Sequence, residues 1–168
     1  MNVFFNYTVE LGVVIGDVKR GRNIAKSLAN DAIAGYFLGL DMTARNIQDE
    51  AKATGGPWTV AKGYDTFTPV GQFIEKSTVK NSSDLRLLLE IDGTVKQDGN
   101  TKDMIFDIAT LIAYISTIMT LRSGDIILTG TPEGVGKVLS GQTLKGSLFD
   151  GNSKQLLSTI SFPVINRK

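Results

Sequence analysis

The chain has 168 residues, 42% of them hydrophobic and 21% charged, which suits one globular domain spanning residues 1–168 with a proper core. Its net charge of +1 gives no electrostatic reason to expect a nucleic acid or a membrane surface as partner. It contains neither cysteine nor histidine, which excludes disulfides, thiolate nucleophiles, serine–histidine triads and imidazole-bound zinc, so any metal must be held by oxygen ligands.

The N-terminal half is predicted to begin with a strand and to contain a capped helix. Strands are predicted at residues 3–15 and 32–40, helices at 23–30 and 44–54, and loop with strand at 58–73. Aromatic and β-branched residues support the first strand, and a glycine-containing apolar run supports the second. Thr43 is the expected N-cap of the second helix, which Gly55-Gly56-Pro57 should end.

The C-terminal half is predicted to contain a hairpin, one helix and two further strands. The hairpin is indicated by Asp92-Gly93, a dipeptide typical of two-residue turns. Strands are predicted at residues 85–91, 94–98, 125–129 and 156–164, and a helix from residue 107 to about 121, with Asp107 as its cap. Helices and strands do not alternate regularly, so the pattern favours an α+β fold, richer in strand than helix, over a doubly wound sheet.

Acidic residues stand on or after two predicted strands. Glu10 follows Thr8 by two positions, so both side chains point to one face of a strand, and Asp41 lies where an apolar strand ends. Two carboxylates on two elements could share one divalent cation, with water or substrate oxygens as further ligands. Alternatively, Glu10 is a surface residue of a half-buried strand and Asp41 a turn or capping residue.

Three other polar residues could serve a binding site. Arg45 and Gln48 are three positions apart on one face of a predicted helix, where a guanidinium can bind a carboxylate and an amide can donate or accept. Both could equally belong to a solvated helix face. Lys62 follows a largely apolar stretch, where a lysine either extends its ammonium group to solvent or serves a site.

The glycine-rich turn after residue 129 does not match a phosphate loop. That pattern requires a glycine, four residues, then Gly-Lys and a serine or threonine. Here Thr131 stands where the first glycine belongs, and Val138 follows Gly-Lys. The turn can still offer a hydroxyl and backbone N–H groups to an anion.

Five sequence blocks, taken in order, resemble the fumarylacetoacetate hydrolase family, in particular its acylpyruvase and oxaloacetate decarboxylase branch. They are Val-Glu-Leu-Gly-Val-Val at 9–14, Leu-Asp-Met-Thr-Ala-Arg at 40–45 with Gln-Asp-Glu at 48–50, Pro-Trp-Thr-Val-Ala-Lys at 57–62, Met-Ile-Phe at 104–106, and the glycine-rich run at 124–136. The resemblance implies a strand-rich α+β fold, a mixed β-sandwich roll of the family's C-terminal domain type, and a homodimer.

The resemblance also implies a metal site and a keto-acid site. The family holds Mg²⁺ or Mn²⁺ by three carboxylates, of which two map onto Glu10 and Asp41. Thr8 stands at the position of the third, and its neutral hydroxyl is a weaker ligand. The substrate's carboxylate and keto oxygens would be surrounded by Arg45, Gln48, Lys62 and Thr131. Among these, the resemblance assigns catalytic roles to Lys62 and Gln48.

The activity implied by the resemblance is divalent-metal-dependent cleavage of small 2-keto acids through a metal-stabilised enolate, by acylpyruvate hydrolysis or oxaloacetate decarboxylation. The family's hydrolytic members activate water with a His and a Glu on an N-terminal lid. This chain has no histidine and residues 1–8 fit the family poorly, so we expect an N-terminally truncated chain that loses hydrolysis more completely than decarboxylation. The alternative is an inactive pseudoenzyme or truncated product that keeps the fold and dimerises or binds ligand. No targeting segment is visible, which leaves mitochondrion and cytoplasm open.

Overall fold

The computed structural model describes residues 5–19 and 21–165, and strands dominate it. The strands are β1 (Phe5–Tyr7), β2 (Val9–Ile15), β3 (Ile33–Leu40), β4 (Thr43–Ala44), β5 (Ile74–Glu75), β6 (Leu85–Ile91), β7 (Thr94–Asn100), β8 (Ile126–Leu128), β9 (Gly136–Val138), β10 (Thr143–Asp150) and β11 (Leu156–Pro163). The α-helices are α1 (Arg45–Thr54), α2 (Thr59–Lys62) and α3 (Ile108–Ile118), and 3-10 helices span Lys26–Ala32, Lys76–Thr78 and Thr101–Asp103.

These strands form three sheets. The central sheet has the order β5-β3-β2-β8, the outer sheet β11-β10-β6-β7, and the small sheet β4-β1-β9. Every strand pairing within the described residues is antiparallel. The arrangement confirms the predicted strand-rich α+β fold.

The hydrophobic core joins the central and outer sheets. Leu11 and Leu38 of the central sheet are fully buried, as are Leu89, Leu144 and Leu148 of the outer sheet. On β6 the buried residues fall at alternate positions, because successive side chains of a strand point to opposite faces. Each fully buried leucine contributes about 1.5–3 kcal/mol to folding, so these rows hold the two sheets together.

Strand β2 is covered on both faces, and this determines the surroundings of Glu10. Val9, Leu11 and Val13 face the core, and Gly12 on the opposite face lies under the ring of Phe37. A Cβ atom at position 12 would lie 2.0 Å from that ring, so only glycine fits there. Glu10 points to the same face as Gly12 and is buried, which excludes the interpretation of Glu10 as a surface residue.

The predicted hairpin and the predicted cap of α3 are both confirmed. Asp92 and Gly93 join β6 to β7 with φ of 50° and 78°, the left-handed conformation that such a turn requires. Asp107 accepts a hydrogen bond from the Thr110 N–H at 2.7 Å and so caps α3. The helix ends at Ile118, three residues earlier than expected. No helix in the described parts of the chain is long and apolar enough to cross a membrane.

Several expected elements differ in the structure. Residues 3–15 do not form one strand, because the chain turns at Thr8 and β1 joins the small sheet while β2 joins the central one; Val3 and Phe4 lie outside the described residues. The helix predicted at 23–30 is a 3-10 helix shifted towards residue 32. The N-cap prediction for Thr43 is wrong: Thr43 belongs to β4, and Ala44 occupies the cap position without a side-chain hydrogen bond.

Other elements were absent from the sequence-based expectations. Residues 58–73 contain the short helix α2, not a strand. The long strand β10 lies in the middle of the outer sheet, between β6 and β11. Its sequence includes Gly146 and alternates only in its first half, which hides the strand pattern.

Candidate active site

Asp41 is positioned by backbone hydrogen bonds just beyond the end of β3. Its N–H donates to the Thr8 carbonyl at 3.0 Å, and the Thr8 hydroxyl lies 2.8 Å from the Asp41 carbonyl oxygen. The next residue, Met42, donates to the carbonyl of Phe67 at 2.8 Å. The chain is therefore held on both sides of Asp41, and its carboxylate is brought close to β2.

Glu10 reaches the same place from β2. Its Oε2 accepts a hydrogen bond from the Gly130 N–H at 2.8 Å, and its Oε1 lies 3.2 Å from the Thr8 hydroxyl. Gly130 has φ of 98°, a left-handed conformation that directs its N–H towards the carboxylate. The single hydroxyl proton of Thr8 is shared between Glu10 and the Asp41 carbonyl, since it can be donated to only one acceptor at a time.

Lys62 places a positive charge beside Asp41. It is the last residue of α2, and its ammonium group forms an ion pair and hydrogen bond with Asp41 Oδ2. The two side chains are only 30% and 20% exposed. Of the two interpretations open for Lys62, the structure therefore favours a place in the site over extension into solvent.

The electrostatics of the cluster are unfavourable for an ionised Glu10. Burial, the largest cause, raises the pKa of Glu10, and the nearby charge of Asp41 raises it further. The Gly130 N–H, the Thr8 hydroxyl and the charge of Lys62 act in the opposite direction without reversing the shift. Two carboxylates and one ammonium group leave a net negative charge in a poorly solvated place.

Arg45 and Gln48 form a separate pair at the start of α1. Arg45 Nη1 donates to Gln48 Oε1 at 2.9 Å, and Arg45 Nε lies 3.3 Å from the carboxylate of Asp49. Gln48 is buried. The bond fixes the amide with its oxygen towards the guanidinium, so its NH₂ group faces the other way. The hydrogen bonds of this pair run along the helix, and its role towards a substrate stays a prediction.

Thr131 follows Gly130 in the turn after β8. Its hydroxyl forms hydrogen bonds outside the cluster of Glu10, Asp41 and Lys62. That hydroxyl donates to the Val9 carbonyl at 2.8 Å and accepts from Gln97 Nε2 at 2.8 Å. To donate to a substrate, the Thr131 hydroxyl would have to break its hydrogen bond to the Val9 carbonyl. The Gly130 N–H bound to Glu10 agrees with the expectation that this turn offers backbone N–H groups to an anion. Sequence reasoning missed Gln97, because no motif marks a glutamine in a polar strand.

A cavity of about 580 Å³ opens beside this turn. Its walls include Thr129, Gly130 and Thr131 on one side and Met104, Ile105 and Phe106 on another. The acidic residues Asp98, Asp103 and Glu133 also line it. Gly130, whose N–H binds the Glu10 carboxylate, is part of the wall, whereas Glu10, Asp41 and Lys62 are not.

The oxygen donors at the cluster fit a hard divalent cation in type but are few in number. Glu10 and Asp41 supply carboxylates, and Thr8 supplies a hydroxyl. Nowhere in residues 5–19 and 21–165 do three acidic side chains come together in a way that could hold a metal ion. A cation bound here would need water or substrate oxygens to complete its shell, and it would share Asp41 with Lys62.

The sequence matches the family model described as "Fumarylacetoacetate (FAA) hydrolase C-terminal" over residues 3–158. The chain belongs to the fumarylacetoacetate hydrolase family. Membership confirms the resemblance based on the five sequence blocks, and by family the chain is an enzyme whose relatives include an oxaloacetate decarboxylase and oxaloacetate tautomerases.

Named relatives lie in the oxaloacetate branch of the family. The chain is 55% identical over 163 residues to the mitochondrial oxaloacetate decarboxylase of Dictyostelium discoideum, covering 97% of this chain and 72% of that protein. It is 49% identical over 162 residues to a mitochondrial oxaloacetate tautomerase of Arabidopsis thaliana, covering 96% of this chain and 69% of that protein. The chain thus spans about 70% of the length of these relatives.

A solved structure of the family shows the same fold. The fumarylpyruvate hydrolase of Pseudomonas aeruginosa, in complex with Mn²⁺ and pyruvate, superposes with a TM-score of 0.89 at 32% identity. The match covers 98% of this chain and 67% of that one. Relatives of this chain therefore act on small keto acids, and at least one of them binds a divalent metal.

Proposed function

We propose that this chain acts on oxaloacetate or a related small 2-keto acid by forming its enolate, with a divalent cation, Mg²⁺ or Mn²⁺, held by Glu10 and Asp41. The observation that carries the proposal is the cluster in which Lys62 pairs with Asp41 next to the buried Glu10. A carboxyl whose pKa is shifted by burial and by a neighbouring charge, as that of Glu10 is, marks a candidate functional site. The names of the relatives support oxaloacetate as the substrate to test.

The residues of the cluster have separate tasks in this proposal. A bound divalent cation supplies a Lewis acid for the keto oxygen of the substrate. Lys62 contributes a fixed positive charge and N–H donors where negative charge develops on that oxygen. Asp41 holds the Lys62 ammonium group in place, and Glu10 is held by the Gly130 N–H.

Arg45 and Gln48 would bind the substrate's carboxylate. A guanidinium presents paired N–H donors to a carboxylate, and the Arg45–Gln48 bond fixes both groups in one orientation. Thr131 would contribute its hydroxyl only after exchanging its bond to the Val9 carbonyl. We therefore rank Thr131 below Arg45 and Gln48 as a substrate ligand.

Enolate-forming reactions suit this chain better than hydrolysis. In decarboxylation the electron pair of the breaking C–C bond flows towards the keto oxygen as carbon dioxide leaves, and in tautomerisation a proton moves between C3 and that oxygen. Neither needs an activated water molecule. Hydrolysis of an acylpyruvate does need one, and the sequence contains no histidine to act as its base.

The proposal is tested by measuring three reactions with the purified chain. Oxaloacetate enol–keto exchange, pyruvate release from oxaloacetate and acetylpyruvate hydrolysis are followed with Mn²⁺, with Mg²⁺ and with EDTA. We expect metal-dependent turnover of oxaloacetate that exceeds acetylpyruvate hydrolysis. Lys62→Met should reduce it about 100-fold or more, whereas Lys145→Met, which breaks an ion pair to Glu90 on the outer sheet, should not.

A folded sample that turns over none of these compounds would favour the second candidate, a pseudoenzyme that keeps the fold. Thr8 favours that candidate, because a neutral hydroxyl replaces a carboxylate that the family uses for the metal. Calorimetric titration with Mn²⁺ and oxalate, an analogue of the enolate, then separates a chain that binds ligand without turnover from one that binds nothing.

We also propose that the chain forms a homodimer and acts in mitochondria. Large apolar side chains are exposed before and along α3: Ile105 is 92% exposed, and Tyr114 and Ile118 lie one turn apart on the same face of the helix. Light scattering should give the mass of a dimer for the wild type and a lower mass for Ile118→Asp. The mitochondrial names of the relatives support the compartment, which cell fractionation tests.

A further inference from the structure

Strand β8 separates from β2 next to the candidate site. The ladder between them runs from Val14 to Gly12, and Thr129 continues it by donating its N–H and its hydroxyl to the Leu11 carbonyl at 3.1 and 2.8 Å. At Gly130 the chain turns away. The next backbone groups of β2 on this side, those of Val9, are therefore left without a strand partner.

Side chains of Gln97 and Thr131 satisfy both backbone groups of Val9. The Val9 N–H donates to Gln97 Oε1 at 3.0 Å, and the Val9 carbonyl accepts from the Thr131 hydroxyl at 2.8 Å. Gln97 Nε2 in turn donates to Thr131 Oγ1 at 2.8 Å and to the Pro132 carbonyl at 2.9 Å. One amide thus joins β2 to the turn that follows β8.

Gln97 is available for this task because β7 contains a bulge. The register places Leu89 opposite Gln97 and Glu90 opposite Val95, so Lys96 is an extra residue. As a result Val95 is 52% exposed and Gln97 is 1% exposed. A buried amide is costly unless its hydrogen bonds are made, and both ends of Gln97 are bonded.

The turn is packed closely against β7 at the same point. A Cβ atom at Gly134 would lie 2.1 Å from the Lys96 carbonyl oxygen, and one at Gly99 would lie 2.3 Å from Pro132 Cβ. The absence of side chains at both positions lets the turn approach the strand. Gln97 therefore sits in the middle of the contact between β7 and the turn.

We propose that Gln97 is a positioning residue for the active site: by holding Thr131 and Pro132, it keeps the Gly130 N–H directed at the carboxylate of Glu10. The inference rests on the proposed function, since it assigns Gln97 a part in cation and keto-acid binding. Gln97 touches neither Glu10 nor Asp41. It acts through the turn, and its loss should move Gly130 away from Glu10 and Thr131 away from Val9.

The experiment compares two substitutions of Gln97 with one matched control. Gln97→Glu keeps an acceptor for the Val9 N–H but loses the donors to Thr131 and Pro132, and Gln97→Met, of similar length, loses both and carries no buried charge. The control is Gln142→Met: Gln142 also joins a turn to a hairpin, accepting from the Leu139 N–H and donating to Asp92, neither of which belongs to the candidate site.

Four quantities are measured for each protein: kcat and KM for oxaloacetate, the Kd for Mn²⁺ by calorimetry, the exchange rate of the Gly130 amide, and Tm. We expect both Gln97 variants to raise KM and the Mn²⁺ Kd about tenfold, the usual effect of losing a buried hydrogen bond at a site. Gly130 exchange should become faster. Gln142→Met should lower Tm and leave the other quantities unchanged.

Two outcomes overturn the inference in different ways. If the wild type is active and Gln97→Met lowers Tm while KM and the Mn²⁺ Kd stay within twofold of the wild type, Gln97 only stabilises the fold, and the proposed function stands. If the wild type neither binds Mn²⁺ nor turns over oxaloacetate, the proposed function itself fails and the inference falls with it.

Discussion

Two groups of charged side chains in this protein behave in opposite ways. Arg86 of β6 and Asp98 of β7 are joined diagonally between the strands by two hydrogen bonds of 2.6 Å, on the exposed side of the outer sheet. This bonding lowers the pKa of Asp98 and raises the pKa of Arg86. In contrast, burial raises the pKa of Glu10 in the cluster with Asp41 and Lys62.

The opposite pKa shifts of Asp98 and Glu10 distinguish a charge that stabilises the fold from one that lowers the free energy of unfolding when it forms. A carboxyl whose pKa is lowered contributes stability above its unfolded pKa, as Asp98 does. A carboxyl whose pKa is raised contributes stability only below its unfolded value of 4.5, and that contribution is lost as the pH rises through the folded value. Ionisation of Glu10 in the folded protein therefore costs free energy of folding, which is typical of a functional group.

Of the substitutions that test the contrast between the two charge groups, Glu10→Gln should have the largest effect on turnover. Loss of a direct cation ligand should reduce turnover more than the roughly 100-fold that the loss of an outer-shell partner costs. In EDTA at pH 7, however, the variant should be more stable than the wild type, because the buried charge is removed. Urea unfolding of both proteins at pH 5 and 7 measures the difference in their free energies of unfolding. A variant that is less stable at pH 7 would show that Glu10 contributes to the fold.

The substitution Thr8→Glu should sharpen the contrast by adding a third carboxylate. We expect about tenfold tighter Mg²⁺ binding, because hard cations bind more tightly as ligand charge increases. The metal-free protein should be less stable, since another negative charge joins Glu10 and Asp41. The control is Thr94→Glu, which adds the same charge at an exposed position of β7. Coinciding titrations of wild type and Thr8→Glu would mean that Thr8 does not face the cation.

The cap of α3 provides a structural carboxylate for comparison with Glu10. Hydrogen bonding to Thr110 and Lys26 lowers the pKa of Asp107 to about 2. Because the folded pKa is lowered, the stability that Asp107 contributes is present above its ordinary pKa of 3.8 and is lost as the pH falls towards 2. Asp107→Ala should cost about 1 kcal/mol at pH 7.

The test for Asp107 is urea unfolding of the wild type and Asp107→Ala at pH 7 and near pH 2. The difference in free energy of unfolding between the two proteins should become smaller at the lower pH. Lys26→Met removes only the exposed ion pair of Asp107 and should cost less than the cap. An undiminished gap near pH 2 would contradict a role for the charged cap.

Arg86→Lys should have the smallest effect. It replaces a two-bond contact by a single one on an exposed surface, so we expect a loss below about 1 kcal/mol that salt reduces further. Turnover should not change. A drop in turnover would mean that the outer sheet's surface is coupled to the site, and the contrast between the two charge groups would not hold.

Local sequence signals were enough to predict the parts of the fold that depend on local chemistry. Asp92-Gly93 predicts its hairpin because few dipeptides accept left-handed backbone at both positions. Asp107 predicts the start of α3 because its side chain bonds the first turn. The turn at Thr8 and the strand β10 depend on distant pairing partners, so local composition does not reveal them.

The candidate site was only partly visible in the sequence. Glu10, Asp41 and Lys62 could be named from the family resemblance, but their contact depends on how β3, α2 and β2 meet. Gln97 could not be found, because a one-residue bulge in β7 decides which side chains point inward. From sequence alone, such a polar strand is predicted to be exposed to solvent.

The close contact between β7 and the glycine-rich turn also affects how this protein can associate. β7 is the last strand of the outer sheet, and an uncovered last strand invites pairing with a strand of another molecule. Here Pro132 and Gly134 lie against Gly99 and the Lys96 carbonyl, respectively. The turn therefore crowds β7 between Lys96 and Gly99, which works against pairing of this stretch with a strand of another molecule.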